Sequence, residues 1–142
     1  MSEFINITKN KHVAIYEASI EIFKGLIKEI RELSKKKPDA TMSAGKVKLI
    51  NRVLQDLKSI LSHEPEGKYL DILSDEDLPQ FSDAVLVMVQ YESAAEKFYN
   101  RYNRLLQIDW DGRKRVWITK QTIAAYESFQ IERQSEYDED GF

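Results

Sequence analysis

The sequence predicts an all-α protein, an antiparallel bundle of about four helices with a short β-hairpin or ordered loop near residues 105–119. Three observations predict it. Apolar residues recur at alternating spacings of three and four through three long stretches, the signature of one buried helical face. All three prolines (Pro38, Pro65 and Pro79) fall between those stretches, where a helix must stop or start. Only residues 105–119 exchange the helical period for a turn pair, Asp111-Gly112, between two short apolar and basic flanks.

The first helix is expected from about Asn10 to Lys36. Val13, Tyr16, Ile20, Phe23, Ile27 and Ile30 form its stripe, and Ile15, Ile22, Leu26 and Leu33 widen it enough to touch two neighbours. Lys35, Lys36 and Lys37 suit the negative end of the helix dipole, and Pro38 ends the element. A second helix starts near Thr41 or Ser43, either of which has a capping hydroxyl, and ends near His63; Val47, Ile50, Leu54, Leu57 and Leu61 carry its stripe. The short linker makes these two helices antiparallel neighbours.

Residues 64–78 break the period, and one short helical turn anchored by Tyr69, Leu70 and Leu73 is expected there. Asp77-Leu78-Pro79-Gln80 reads as a helix start, with a capping carboxylate, an early Pro and Gln three residues on. The third helix follows on Phe81, Ala84, Met88, Tyr91, Ala95 and Phe98, continuing through Tyr102 and Leu105. Around Asp111-Gly112 the flanks can pair as a hairpin that opposes Asp109 to Lys114 and Ile108 to Arg115. Thr119 can cap a last helix carrying Ile123, Tyr126, Phe129 and Ile131. The reading is one domain over residues 1–136 and an acidic tail over 137–142 that frays.

Composition narrows the class. Seven Tyr, six Phe and two Trp in 142 residues supply a core, which a disordered chain lacks. The absence of cysteine leaves no disulfide, thiolate ligand or cysteine nucleophile. The longest uncharged run, Ala84 to Tyr91, is eight residues, against the ~20 that span a bilayer. With no signal-peptide core before Lys11, a cytoplasmic protein without a membrane segment is expected. The net charge of −3 hides an alternation: +5 over residues 1–63, −8 over 64–96, +5 over 97–120 and −5 over 121–142. Such a dipolar surface orients a partner or holds the chain's own elements together.

Catalytic patterns are scarce, and no cofactor or metal is expected. Five scattered glycines make neither glycine-rich phosphate loop, and His12 and His63 have no second His at helical spacing. No Arg precedes a His by four to six residues, the spacing of small helical ribonucleases. Glu17 with Glu21, Glu29 with Glu32, and Glu92 with Glu96 each sit one turn apart; they make a Mg²⁺-dependent hydrolase the third reading, behind two binding functions.

The binding residues concentrate in one segment. Tyr99, Arg101, Arg104, Trp110, Arg113, Lys114, Arg115 and Trp117 interleave basic and aromatic side chains. Trp, Tyr and Arg are the usual anchors of protein interfaces. The expected function is therefore a non-catalytic assembly or regulatory subunit that binds a protein partner or a second copy of itself. Its contact surfaces would be this segment and the stripe of the third helix. The alternative is a nucleic-acid-binding accessory protein, with the same cations on phosphates and the same rings on bases.

Overall fold

Alternating three- and four-residue spacing decides which side of each long element is buried. The computed structural model describes residues 6–139, with side chains through residue 136. In it α1 spans Asn10–Lys36, and Val13, Tyr16, Ile20, Phe23, Ile27 and Ile30 are all buried. Helix α2 spans Ala44–Leu61; of the two candidate caps it is Ser43 whose Oγ accepts the Lys46 N–H, at 3.2 Å. Helix α3 spans Phe81–Tyr102, strands β1 and β2 span Asn103–Gln107 and Arg113–Trp117, and α4 spans Lys120–Glu139. Thr119 Oγ1 caps α4 by accepting the Thr122 N–H at 3.3 Å. The chain is thus mostly α with one small hairpin, as the periodicity indicates.

The chain divides into two compact units. One, Ala14–Phe98, holds most of α1, all of α2 and most of α3. Ring contacts join α1 to α3 in antiparallel order: Tyr16 meets Phe98 at 5.3 Å and Phe23 meets Tyr91 at 6.4 Å between centroids. At one end, the α1–α2 linker is stapled to the residues preceding α3. Met42 N–H donates to Pro79 O (2.9 Å), Phe81 N–H to Ala40 O (3.1 Å) and Ser82 N–H to Pro38 O (3.1 Å). Helices α2 and α3 therefore leave from the same end, and residues 62–80 return the chain between them.

This return segment differs from the expected helical turn. The only regular piece is a 3₁₀ turn at Pro65–Gly67, and Tyr69 is 81% exposed rather than an anchor, while Leu70 and Leu73 are buried as expected. The turn presses Gly67 against α2 so closely that a Cβ there would lie 1.9 Å from Leu61 O; only glycine fits. Beyond it the chain is extended, and Asn51 of α2 acts as its strand partner. Leu73 N–H donates to Asn51 Oδ1 at 2.9 Å, and Asn51 Nδ2 donates to Leu73 O at 2.8 Å. Tyr91 of α3 adds a third tie by donating its hydroxyl to Asp71 O at 2.7 Å.

Two expectations about α3 are corrected here. It begins at Phe81, not behind an Asp77 cap, because residues 79–82 are held by the linker in the bonds above. Its helical stripe ends at Tyr102: Leu105 lies in β1 and is 48% exposed. Within the stripe, Ala84, Met88, Tyr91, Ala95 and Phe98 are buried. That face is core and offers no surface to a partner.

The second unit comprises Met1–Val13 and Tyr99–Phe142. Its hairpin pairs Asn103 with Trp117, Leu105 with Arg115 and Gln107 with Arg113, so the expected opposition of Asp109 to Lys114 and Ile108 to Arg115 is replaced. The reason lies in the connection, which spans residues 108–112 instead of two. Asp109 Oδ1 accepts the Asp111 N–H at 2.9 Å, winding a local turn, and Gly112 takes the left-handed φ of 103° before the chain enters β2. Leu106 and Val116, one face of the hairpin, pack with Tyr126 against buried Ile118 and Ile123. Thr8 N–H donates to Ile118 O at 2.8 Å and ties the start of the chain to the exit of β2. In α4, Ile123 and Phe129 are buried as expected, but Ile131 is 68% exposed. The helix continues to Glu139, three residues into the expected tail, whose remainder lies outside the described residues.

Candidate functional site

A strand sends successive side chains to opposite faces, and this rule divides the basic-aromatic segment. Arg113, Arg115 and Trp117 of β2 share a face with Asn103, Leu105 and Gln107 of β1, given the register. Lys114 and Val116 point the other way with Arg104 and Leu106, the face that packs on Ile118 and Ile123. Tyr99, on the last turn of α3, joins the first face: its ring meets Trp117 edge-on at 5.5 Å, and the Arg115 guanidinium lies 5.5 Å from its centroid.

Arg115 is the fixed point of this face. Its Nε donates to Asn103 Oδ1 at 2.9 Å, and a terminal nitrogen donates to Asn103 O at 3.0 Å. Asn103 itself is buried, so the planar guanidinium is held from below and stacked from the side while remaining exposed. Arg113 stands two residues along the same strand face, also exposed, and Leu105, directly across from Arg115 on β1, is 48% exposed. Two guanidiniums beside an aliphatic and an aromatic patch have the chemistry to accept carboxylates bidentately next to an apolar contact.

The other expected residues go elsewhere. Trp110 is 56% exposed in the hairpin connection and stands edge-on to Phe129 of α4 at 5.0 Å, with Nε1 3.4 Å from Glu132. Lys114 is spent within the connection: its Nζ lies 2.8 Å from Asp109 and 3.6 Å from Asp111. Its hydrogen bond to Asp109 holds the ammonium above its ordinary pKa, and the same bond, with the Asp111 N–H, holds Asp109 below the usual carboxylate range. Arg101 lies 5.9 Å from the Tyr102 ring, and Arg104 is exposed on the opposite strand face. One sequence cluster is thus two places. Asn103 and Leu105 belong to the first; the sequence places Leu105 on the third helix's stripe instead, and nothing local marks Asn103, because its role depends on a partner twelve residues away.

Four of the six paired carboxylates meet cations. Arg31 of α1 donates to both oxygens of Glu92 of α3, at 2.9 and 2.6 Å, and that hydrogen bonding holds Glu92 below, and Arg31 above, their ordinary pKa values. Glu29 pairs with Lys46, Glu21 with Lys24 at 3.6 Å and Glu32 with Lys35 at 3.5 Å. Among the described residues no three His, Cys, Asp or Glu side chains are grouped to hold a metal, and no helix is long and apolar enough to cross a membrane. No known family's sequence pattern, curated protein or solved structure matches the chain.

Proposed function

We propose that this chain is a non-catalytic interaction subunit, working in the cytoplasm, that binds another protein chain through the outer face of its β-hairpin. The observation that carries the reading is Arg115, fixed by two hydrogen bonds to Asn103 and stacked beside Tyr99, with exposed Arg113 and Leu105 next to it. An interface side chain already held in one rotamer loses little entropy on binding, so it contributes more than a free one.

The same geometry favours protein over nucleic acid. Lys114 lies on the opposite strand face and is matched by two aspartates, so this face carries Arg113 and Arg115, with Arg133 reaching Gln107 at 3.4 Å, too few cations for the multi-phosphate contact that gives nucleic-acid affinity. Trp117 and Trp110 each turn toward another ring, which narrows the open platform a base would stack on.

A photo-crosslinking amino acid at Leu105, with a control at exposed Glu17, tests the reading in cells. Covalent protein adducts are expected from position 105 only and are lost with Arg113→Glu. Adducts to nucleic acid, or none at all, refute it.

A further inference from the structure

The hairpin face has a complement in the same chain. From Tyr69 to Glu96 there is no Lys, Arg or His, and seven carboxylates lie in that span. The return segment displays several of them at its bend: Asp75, Glu76 and Asp77 are exposed, and no ion pair holds them among the described residues. Just before the bend, Tyr69 is 81% and Ile72 37% exposed, turned outward by the burial of Leu70 and Leu73, with the Lys68 ammonium 5.5 Å from the Tyr69 ring centroid. An acidic ridge with an aromatic and an aliphatic tip therefore stands in one unit, and a basic face with an aliphatic and two aromatic rings stands in the other. Both are anchored to rigid elements, the ridge through Asn51 and Tyr91 and the face through Asn103.

We propose that the occupant of the hairpin face is the acidic return segment of a second copy of this chain. The proposal rests on the binding role assigned above to the hairpin and names its partner. Arg113 and Arg115 meet Asp75, Glu76 and Asp77, while Leu105 and Trp117 meet the ridge formed by Tyr69 and Ile72. The contact is heterologous, joining different patches on the two copies, so it propagates or closes into a ring unless one patch is blocked. Opposite charges brought together at an exposed rim make association sensitive to salt.

Sedimentation equilibrium of the full chain tests this. At about 100 µM protein, species larger than the monomer are expected at about 50 mM salt, with association weakened about tenfold or more at about 500 mM. Arg113→Glu alone, and Arg113→Glu with Arg115→Glu, should each be monomeric, as should the triple variant Asp75→Lys, Glu76→Lys and Asp77→Lys. Arg113 and the three acidic residues make no side-chain hydrogen bond that folding needs. Neutral variants cannot recreate the second pair: mixing the double variant Arg113→Gln with Arg115→Gln against the triple variant Asp75→Asn, Glu76→Gln and Asp77→Asn should restore one contact and stop there, as a 1:1 heterodimer. A wild-type monomer at low salt, or failure of the mixture to associate, overturns the proposal. If position 105 still captures a different protein in cells, the proposal falls while the binding role of the hairpin stands.

Discussion

Replacing Asn51 with Leu tests how the return segment is held. Asn51 is 9% exposed and its amide satisfies both backbone groups of Leu73, at 2.9 and 2.8 Å. Asn51→Leu keeps the volume but leaves the Leu73 N–H and C=O without partners beneath the segment. Each such buried group costs about 1–3 kcal/mol, and burying the new apolar side chain returns about 1.5 kcal/mol. The net loss is then about 1–4 kcal/mol, a large share of the ~5–15 kcal/mol that stabilises a domain. In urea, with a slope near ~2 kcal/mol/M, the midpoint should fall by about 0.5–2 M. Asn51→Asp separates the two bonds. A carboxylate still accepts the Leu73 N–H but faces Leu73 O with no proton to donate, so burial raises its folded pKa. Its stability relative to wild type is best below the ordinary carboxylate pKa and is lost as pH rises through the folded value. A leucine variant as stable as wild type, or an aspartate variant indifferent to pH, would refute this account of the crossover.

Four further outcomes follow from contacts elsewhere. Gly67→Ala forces a Cβ against Leu61 O and should lower stability by at least ~2 kcal/mol in thermal melts, whereas Gly25→Ala, which meets nothing within 4 Å, should raise it by about 0.5–1 kcal/mol. Burial, and secondarily Asp71, pushes the Tyr91 hydroxyl up to about 12, so the unfolded chain ionises first; stability should fall between pH ~10 and ~12 by up to about 3 kcal/mol, and Tyr91→Phe should remove that slope in alkaline unfolding curves. Glu92, held low by Arg31, stabilises above the ordinary carboxylate pKa and ceases to as pH falls through its own; because the pair is partly exposed, Glu92→Gln should cost no more than about 1 kcal/mol at neutral pH by urea titration. Lys114→Gln should leave crosslinking from position 105 unchanged, since Lys114 lies on the strand face opposite Leu105.

The helices were legible because a buried face writes its period into the chain. The bounds of α1, Asn10 and Lys36, follow from the first stripe residue, the terminal lysines and Pro38, all local. The start of α3 was not, although Asp77-Leu78-Pro79-Gln80 satisfies every local rule for a helix start. Its backbone is claimed by Pro38, Ala40 and Met42, about forty residues earlier, and no local pattern records that competition. The hairpin register failed for a smaller reason. Asp111-Gly112 is a good two-residue turn, but Asp109 offers its carboxylate to the Asp111 N–H and lengthens the connection, so the flanks pair three residues away from the tight-turn register.

The candidate site shows the same division between composition and placement. Nine basic and aromatic residues within nineteen positions suggest one surface, because proximity in sequence resembles proximity in space when the local structure is unknown. The strand period then separates neighbours: Arg113 and Arg115 share a face, and Lys114 between them does not. What sets Arg115 apart from a freely solvated charge is a residue with no charge at all. Asn103 lies at the junction of α3 and β1, buried, and its side-chain and backbone oxygens fix the guanidinium of Arg115. Removing that support leaves the same net charge on the hairpin but frees the arginine to sample other rotamers. Binding that depends on preorganisation would then weaken, whereas attraction by net charge alone would not.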